Sequence, residues 1–142
     1  MRKNFPLFLT VITLSAALIS CGKDDNSSGS AGYRGAYIGT WAVDETYIMP
    51  ESDTLTDNYV ILITAHPDED SSVYIYNLGD VSPDFEVEAK VTPTAMTIPS
   101  QTITLEYLVF HISGSGEIED ETLTFSYNMP GYWTAECTAT KN

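Results

Sequence analysis

Cysteine, histidine and cations are all scarce in this chain, and each scarcity closes off a class of function. Two cysteines, Cys21 and Cys137, are too few for the disulfide framework of a small stapled fold. Two histidines, His66 and His111, stand far apart in the chain. His66 precedes Pro67 in a turn and His111 lies between Phe110 and Ile112 on a strand pattern, so neither reads as a catalyst. Lys and Arg number 6 against 20 Asp and Glu, a formal net charge of -14. Nucleic acid is therefore not an expected partner, because phosphate binding needs clustered cations. Docking on anionic lipid through the protein surface is disfavoured for the same reason. Ser115 sits in Gly114-Ser115-Gly116 without the outer glycines of a nucleophile elbow. The same glycines lack the Lys that completes a phosphate loop. The long apolar run, Phe5 to Leu18, falls short of the roughly 20 residues of a spanning helix. No window carries a 3.6-residue apolar period.

What is present is a chain that packs. Charged residues make up 18 % and hydrophobic ones 43 %, which is not the balance of a disordered acidic tail. Aromatics reach 11 %, with nine Tyr, a bias suited to strands. Period two recurs between turn signals. Phe85, Val87, Ala89 and Val91 face one way while Glu86, Glu88 and Lys90 face the other. Leu123, Phe125 and Tyr127 alternate with hydroxyl residues, as do Trp133, Ala135, Cys137 and Ala139. The spacing predicts eight strands: Tyr37–Tyr47, Tyr59–Thr64, Val73–Leu78, Phe85–Val91, Ala95–Ile98, Thr102–Ile112, Leu123–Tyr127 and Trp133–Ala139. A change of parity near Tyr107-Leu108 predicts a bulge in the sixth. Breaks are expected at His66-Pro67-Asp68, Gly79-Asp80, Ser82-Pro83-Asp84, Thr92-Pro93, Ile98-Pro99-Ser100 and Met129-Pro130-Gly131. Short links favour an all-β antiparallel meander, closed as an eight-stranded barrel, with a β-sandwich as the alternative.

The first twenty residues read as an export signal: Arg2 and Lys3, the apolar run, then Leu18-Ile19-Ser20-Cys21 and Gly22. That ending resembles the lipobox of bacterial lipoproteins. The resemblance implies cleavage between Ser20 and Cys21 and acylation of Cys21. Gly22-Lys23-Asp24-Asp25 resembles the surface-export signal of Bacteroidetes lipoproteins, with Lys23, Asp24 and Asp25 as its parts. It implies display on the outer face of the outer membrane. Loss of Arg2 and Lys3 makes the remainder more anionic still, so several acyl chains on Cys21 would be needed to hold it at a bilayer. Residues 21–33, rich in Asn, Ser and Gly, read as the tether, and 34–142 as the folded domain. With Cys21 consumed by lipid, Cys137 is left alone, and its parity makes it a buried thiol.

Gly39-Thr40-Trp41 on the first predicted strand resembles the Gly-x-Trp element of lipocalins and related calycin barrels. There the Trp plugs one end and the Gly allows close backbone approach, so Gly39 and Trp41 are structural expectations. The domain also resembles the small lipocalin-like lipoproteins of Bacteroidetes, although it is short and shows no helix pattern after Thr140. The resemblance implies a binding module for a small apolar ligand. The alternative is an interaction or structural protein, including an inhibitor, with a packed barrel and a basic partner. No enzyme activity and no cofactor are expected, since the acids mostly alternate outward on strands or crowd turns. Asp68, Asp70 and Ser72 match the start of a calcium loop, but Val73 and Gly79 stand where it needs Gly and Glu, so no metal is expected. Glu117, Glu119, Asp120 and Glu121 form a second acidic turn. Asp53-Thr54-Leu55 resembles the acceptor for O-linked glycans in Bacteroidetes exported proteins, which makes Thr54 a candidate modification site.

Overall fold

Inward apolar and outward polar residues alternate strongly enough along the chain to build a sheet that closes on itself. The computed structural model describes residues 31–51 and 54–142. A short helix α1 (Ala31–Tyr37) leads into β1 (Gly39–Ile48), β2 (Thr54–Ala65), β3 (Ser72–Tyr76), β4 (Glu86–Val91), β5 (Ala95–Leu105), β6 (Leu108–Glu119), β7 (Thr122–Met129) and β8 (Trp133–Lys141). A 3₁₀ turn, Leu78–Asp80, lies between β3 and β4. Every neighbouring pair is antiparallel, and β1 pairs with both β2 and β8, giving a closed barrel in meander order. Val43 faces Tyr59 on one side and Ala139 on the other. The sandwich alternative is thereby excluded.

Several boundaries differ from the sequence expectation, among them the start of β2 at Thr54 instead of Tyr59. Thr102–Ile112 is not one bulged strand but a hairpin: Leu105 pairs with Leu108 across Glu106-Tyr107. Glu106 takes φ 54, a conformation usually left to Gly or Asn, so no turn residue announced it. Ile98-Pro99-Ser100 is not a break. β5 runs through it with a register shift between Ile98 and Gln101, and the bulge tolerates the missing Pro99 N–H. Tyr37 closes α1 rather than opening β1, and β3 stops at Tyr76, leaving Leu78 to the 3₁₀ turn. α1 also starts at Ala31, inside the stretch that composition assigns to the tether.

The inward side chains form one cluster including Val43, Ile61, Ile63, Ile75, Val87 and Leu123, all at 0–1 % exposure. Gly114 and Gly116 permit the tight β6–β7 approach. A Cβ on Gly116 would stand 2.4 Å from the Phe125 Cβ.

The chain direction sorts the loops into two ends. At the α1 end, Tyr37 Oη donates to the carbonyls of Thr92 and Ala95 at 3.0 Å each. Arg34 Nη1 reaches the carbonyls of His66 (3.0 Å) and Glu69 (2.7 Å), and Lys141 Nζ the Ala36 carbonyl (2.9 Å). Lys90 Nζ lies 3.3 Å from Glu69 Oε2. These are the Lys and Arg residues of the described chain, and all of them work at this end.

Between β4 and β5 the ladder is short: only Lys90↔Thr97 and Val91↔Met96 pair. Beyond them the Gln101 amide stands in for a strand. Its Nε2 donates to the Glu88 carbonyl at 2.7 Å and its Oε1 accepts from the Glu88 N–H at 3.0 Å. Gln101→Ala should therefore cost about 1–3 kcal/mol in urea unfolding, as two backbone groups lose their partner. An unchanged midpoint would show that water replaces the amide without loss.

Candidate functional site

β1 sends Trp41, Val43, Glu45 and Tyr47 to the same side, and the third of these is a carboxylate inside the barrel. Glu45 is 4 % exposed. Tyr127 Oη donates to its Oε1 and Oε2 at 3.0 and 2.9 Å, Tyr59 Oη donates to Oε2, and the Cys137 thiol lies 3.4 Å from Oε2. The two phenols are themselves acceptors. Trp133 Nε1 donates to Tyr127 Oη at 2.9 Å and the Gly79 N–H to Tyr59 Oη at 3.0 Å. Gly79 holds φ 68, and a Cβ there would meet Tyr127 Oη at 2.7 Å. Strands β1, β2, β7, β8 and the 3₁₀ turn thus meet on one carboxylate. Among the described residues no buried side-chain polar atom lacks a partner.

Glu45 is an exception to the expectation that the acids mostly alternate outward. Asp44 does point out, but Glu45 shares the parity of Trp41 and Val43 and points in. Burial first, and then the Glu45 carboxylate beside them, push the Tyr59 and Tyr127 phenols and the Cys137 thiol far up. All three stay protonated at neutral pH. They serve as hydrogen-bond donors, not as a base or thiolate nucleophile.

Above this cluster, at the end away from α1, aromatic rings close the mouth. Tyr47 lies 5.9 Å from Trp133, Trp133 6.0 Å from Tyr132, Tyr132 4.9 Å from Phe110, and Phe110 5.2 Å from Phe85. Ile103, Leu105 and Val81 pack half-buried beside them. Besides a depression of about 800 Å³ at the β6–β7 turn, two more mark the outside of the wall. One, about 820 Å³, is polar and lies across β6, β7, β8, β1 and β2, with Asp44, Asn58, Glu117, Thr124 and Glu136 on it. The other, about 530 Å³, is apolar, with Val60, Leu62, Tyr76 and Pro83.

The predicted site residues do not converge. Gly39 starts β1 at φ 136, and Trp41 is fully buried at the α1 end, its Nε1 donating to the Tyr37 carbonyl at 2.7 Å beneath Lys141. Thr54 opens β2, exposed. Ser20, Cys21, Lys23, Asp24 and Asp25 lie outside the described residues. His66 Nδ1 accepts from the N–H groups of Asp68 and Glu69 at 3.1 Å, which fixes the turn. His111 Nδ1 is 3.0 Å from Thr102 Oγ1 on the outer wall. The two acidic turns do share the α1 end, but Glu69 is engaged by Ser72 and Lys90, and Asp70 lies 3.8 Å from Arg34. Among the described residues no three acidic, His or Cys side chains group as metal ligands do. Among them no helix is long and apolar enough to cross a membrane.

No family model matches the chain, and no curated protein does. Among solved structures it is similar to a redesigned β-barrel, at 12 % identity and a TM-score of 0.49, covering 78 % of this chain and 95 % of that one.

Glu45→Leu should destabilise the protein by about 3 kcal/mol or more, since it strands two buried hydroxyls and a thiol. Adding Tyr59→Phe and Tyr127→Phe should recover part of that loss. No recovery in denaturant titrations would mean that the cost lies elsewhere. The same groups set an alkaline limit. Their folded pKa values exceed the ordinary 10.0 of Tyr and 9.0 of Cys, so the folded state keeps protons that the unfolded state releases. Their contribution is complete below pH 9.0. As the pH climbs through those values stability should fall by about 1.4 kcal/mol per unit per group. A flat urea midpoint up to about pH 11 would contradict this.

Proposed function

We propose that this protein is a lipid-anchored binding module of the cell surface, lipocalin-like in form, that works through the outside of its barrel. The observation that carries the reading is the state of the interior. A chamber able to hold even a water molecule leaves accessible surface on its walls. Ile61, Ile63, Ile75, Phe85, Val87, Leu123 and Tyr127 have 0–1 %. The rings at the mouth and the Glu45 cluster occupy the place where a small apolar ligand would sit. That ligand reading would require Tyr132, Trp133 and Phe110 to part. The surface-interaction reading requires no rearrangement.

The anchor supports the same picture. α1 begins ten positions after Cys21, so lipid on Cys21 tethers the barrel by its α1 end, where the Lys and Arg of the described residues lie beside the two acidic turns, and leaves the opposite end further from the membrane. That outer end carries acids without Lys or Arg among the described residues, which favours a basic partner and a salt-sensitive association. No catalytic role is assigned, because the buried hydroxyls and thiol remain protonated.

Native mass spectrometry of the intact protein, extracted from its own host in mild detergent, tests the choice. The expected mass is polypeptide plus acyl chains on Cys21. A further small molecule, released on unfolding, would overturn the surface reading in favour of a carrier.

A further inference from the structure

The hairpin of β5 and β6 outruns its neighbours on both sides. β5 leaves β4 after Thr97, held at one more point by the Gln101 side chain, and β6 joins β7 only from Ser113 onward. Gln101 to Ile112 is thus a two-stranded arm at the end away from α1. Its inner face is settled: Phe110 is 4 % exposed, and Ile103 and Leu105 pack half-buried over the mouth. Its tip and edges are not. Tyr107 is 85 % exposed, Val109 49 % and Leu108 44 %.

The register decides which backbone groups are free. Leu105 and Leu108 close a two-residue turn, so they exchange hydrogen bonds, and so does Ile103 with Phe110 two positions further down. The N–H and C=O of Thr102 and Thr104 must then point the other way, toward the side that β4 has left. Among the described residues no sheet partner meets them there. Proteins commonly blunt such an edge with Lys, Pro or a bulge. Here the bulge and Pro99 lie below Gln101, and Thr102-Ile103-Thr104-Leu105 has no Pro and no charge. The turn of the arm carries Glu106, and the strand that the Gln101 amide reaches carries Glu88, with Glu86 two positions before it accepting from Tyr76 of β3.

We propose that the β5 edge of this arm is a strand-addition site for an extended, basic segment of a partner protein. Main-chain hydrogen bonds to Thr102 and Thr104 supply the pairing, as in other edge-strand recognition. Lys or Arg side chains on the incoming strand face Glu88 and Glu106, and its apolar side chains meet Tyr107 and Leu108. An anionic membrane is a poor occupant, since the same acids repel it. The inference rests on the surface-interaction reading and names the partner chemistry for it.

The test uses the intact protein, ¹⁵N-labelled, with an end-blocked octapeptide of alternating Lys and Val as probe and one of alternating Glu and Val as its control. The Lys–Val peptide should slow amide exchange at Thr102 and Thr104 by at least about tenfold. The effect should weaken with added salt and be absent with the Glu–Val peptide. Thr104→Pro, which deletes an outward donor while leaving Tyr107 and Leu108 in place, should abolish it with the β7 and β8 amides unchanged. Tyr107→Ser should weaken binding only in part. Absence of protection, or protection that survives Thr104→Pro, overturns the proposal. Concentration-dependent protection without peptide overturns it in favour of a second copy of this chain. These failures leave the surface reading standing; a small molecule released from the native protein removes that reading itself, whatever the peptide does.

Discussion

Everything in this molecule depends on β1 being paired on both sides. A sheet of eight short, strongly alternating strands has two edges until its first strand meets its last, and each edge would invite association. Closure removes them and at the same moment creates an interior of fixed size. That interior must then be filled, because a void forfeits contacts on every side. Large side chains from β2, β3 and β4 fill one part. Across from them, Gly114 and Gly116 let Phe125 and Tyr127 lie against the β6 backbone. Glu45 sits where β1 crosses the middle of this space, and it is tolerated because hydroxyls from β2 and β7 and a thiol from β8 all reach it. A carboxylate so placed links strands that are not neighbours, which apolar packing does without fixing a register. The arrangement has a cost: the site works only if every partner is present, since a half-paired network in a low-dielectric interior is worse than none.

Much of the fold could be read from period two alone, and the failures are instructive. The end of β4 at Val91 and the start of β8 at Trp133 follow from the adjoining Pro and Gly turns, whereas Asn58 lies inside β2, which begins five residues earlier than Tyr59. The β5–β6 hairpin was missed because its turn is Glu106-Tyr107, residues with no turn preference, and because apolar residues continue on both sides of it. Parity did change there, but a bulge and a two-residue turn shift parity alike. Pro99 misled in the opposite sense: it marks a bulge inside a strand, not the end of one. These two errors coincide with the one element that leaves the barrel wall.

Glu45 was hidden by its neighbour. Asp44-Glu45 looks like an exposed acidic pair, and charge composition gave no reason to bury either. The signal was nevertheless there: Trp41 and Val43 set the inward phase of β1, and Tyr47 continues it, so Glu45 had to point in unless the strand broke. Cys137 was placed correctly as a buried thiol by the same logic, yet its partner was out of reach, because a contact 92 residues apart in sequence follows only from barrel closure. The lesson is that parity must be applied to charged residues as strictly as to apolar ones.

Charge distribution completes the argument about orientation. A domain with so many acids needs its few cations where backbone carbonyls are otherwise unpartnered, and Arg34 and Lys141 answer that need at α1. Arg34 gathers carbonyls of the β2–β3 turn, while Lys141 donates to the Gly35 and Ala36 carbonyls of the helix and lies 5.5 Å over Trp41. Those two side chains convert a helix of seven residues, too short to persist alone, into a lid on the barrel. The consequence falls on the other end. With the cations committed to α1, nothing among the described residues offsets Glu51, Asp80, Asp84 and Glu106, so the mouth and its arm present apolar side chains inside an uncompensated negative field. Such a field lengthens the reach of the surface toward a basic partner and rejects an acidic one. The closed end and the open chemistry of this barrel are thus two results of one shortage, that of positive charge.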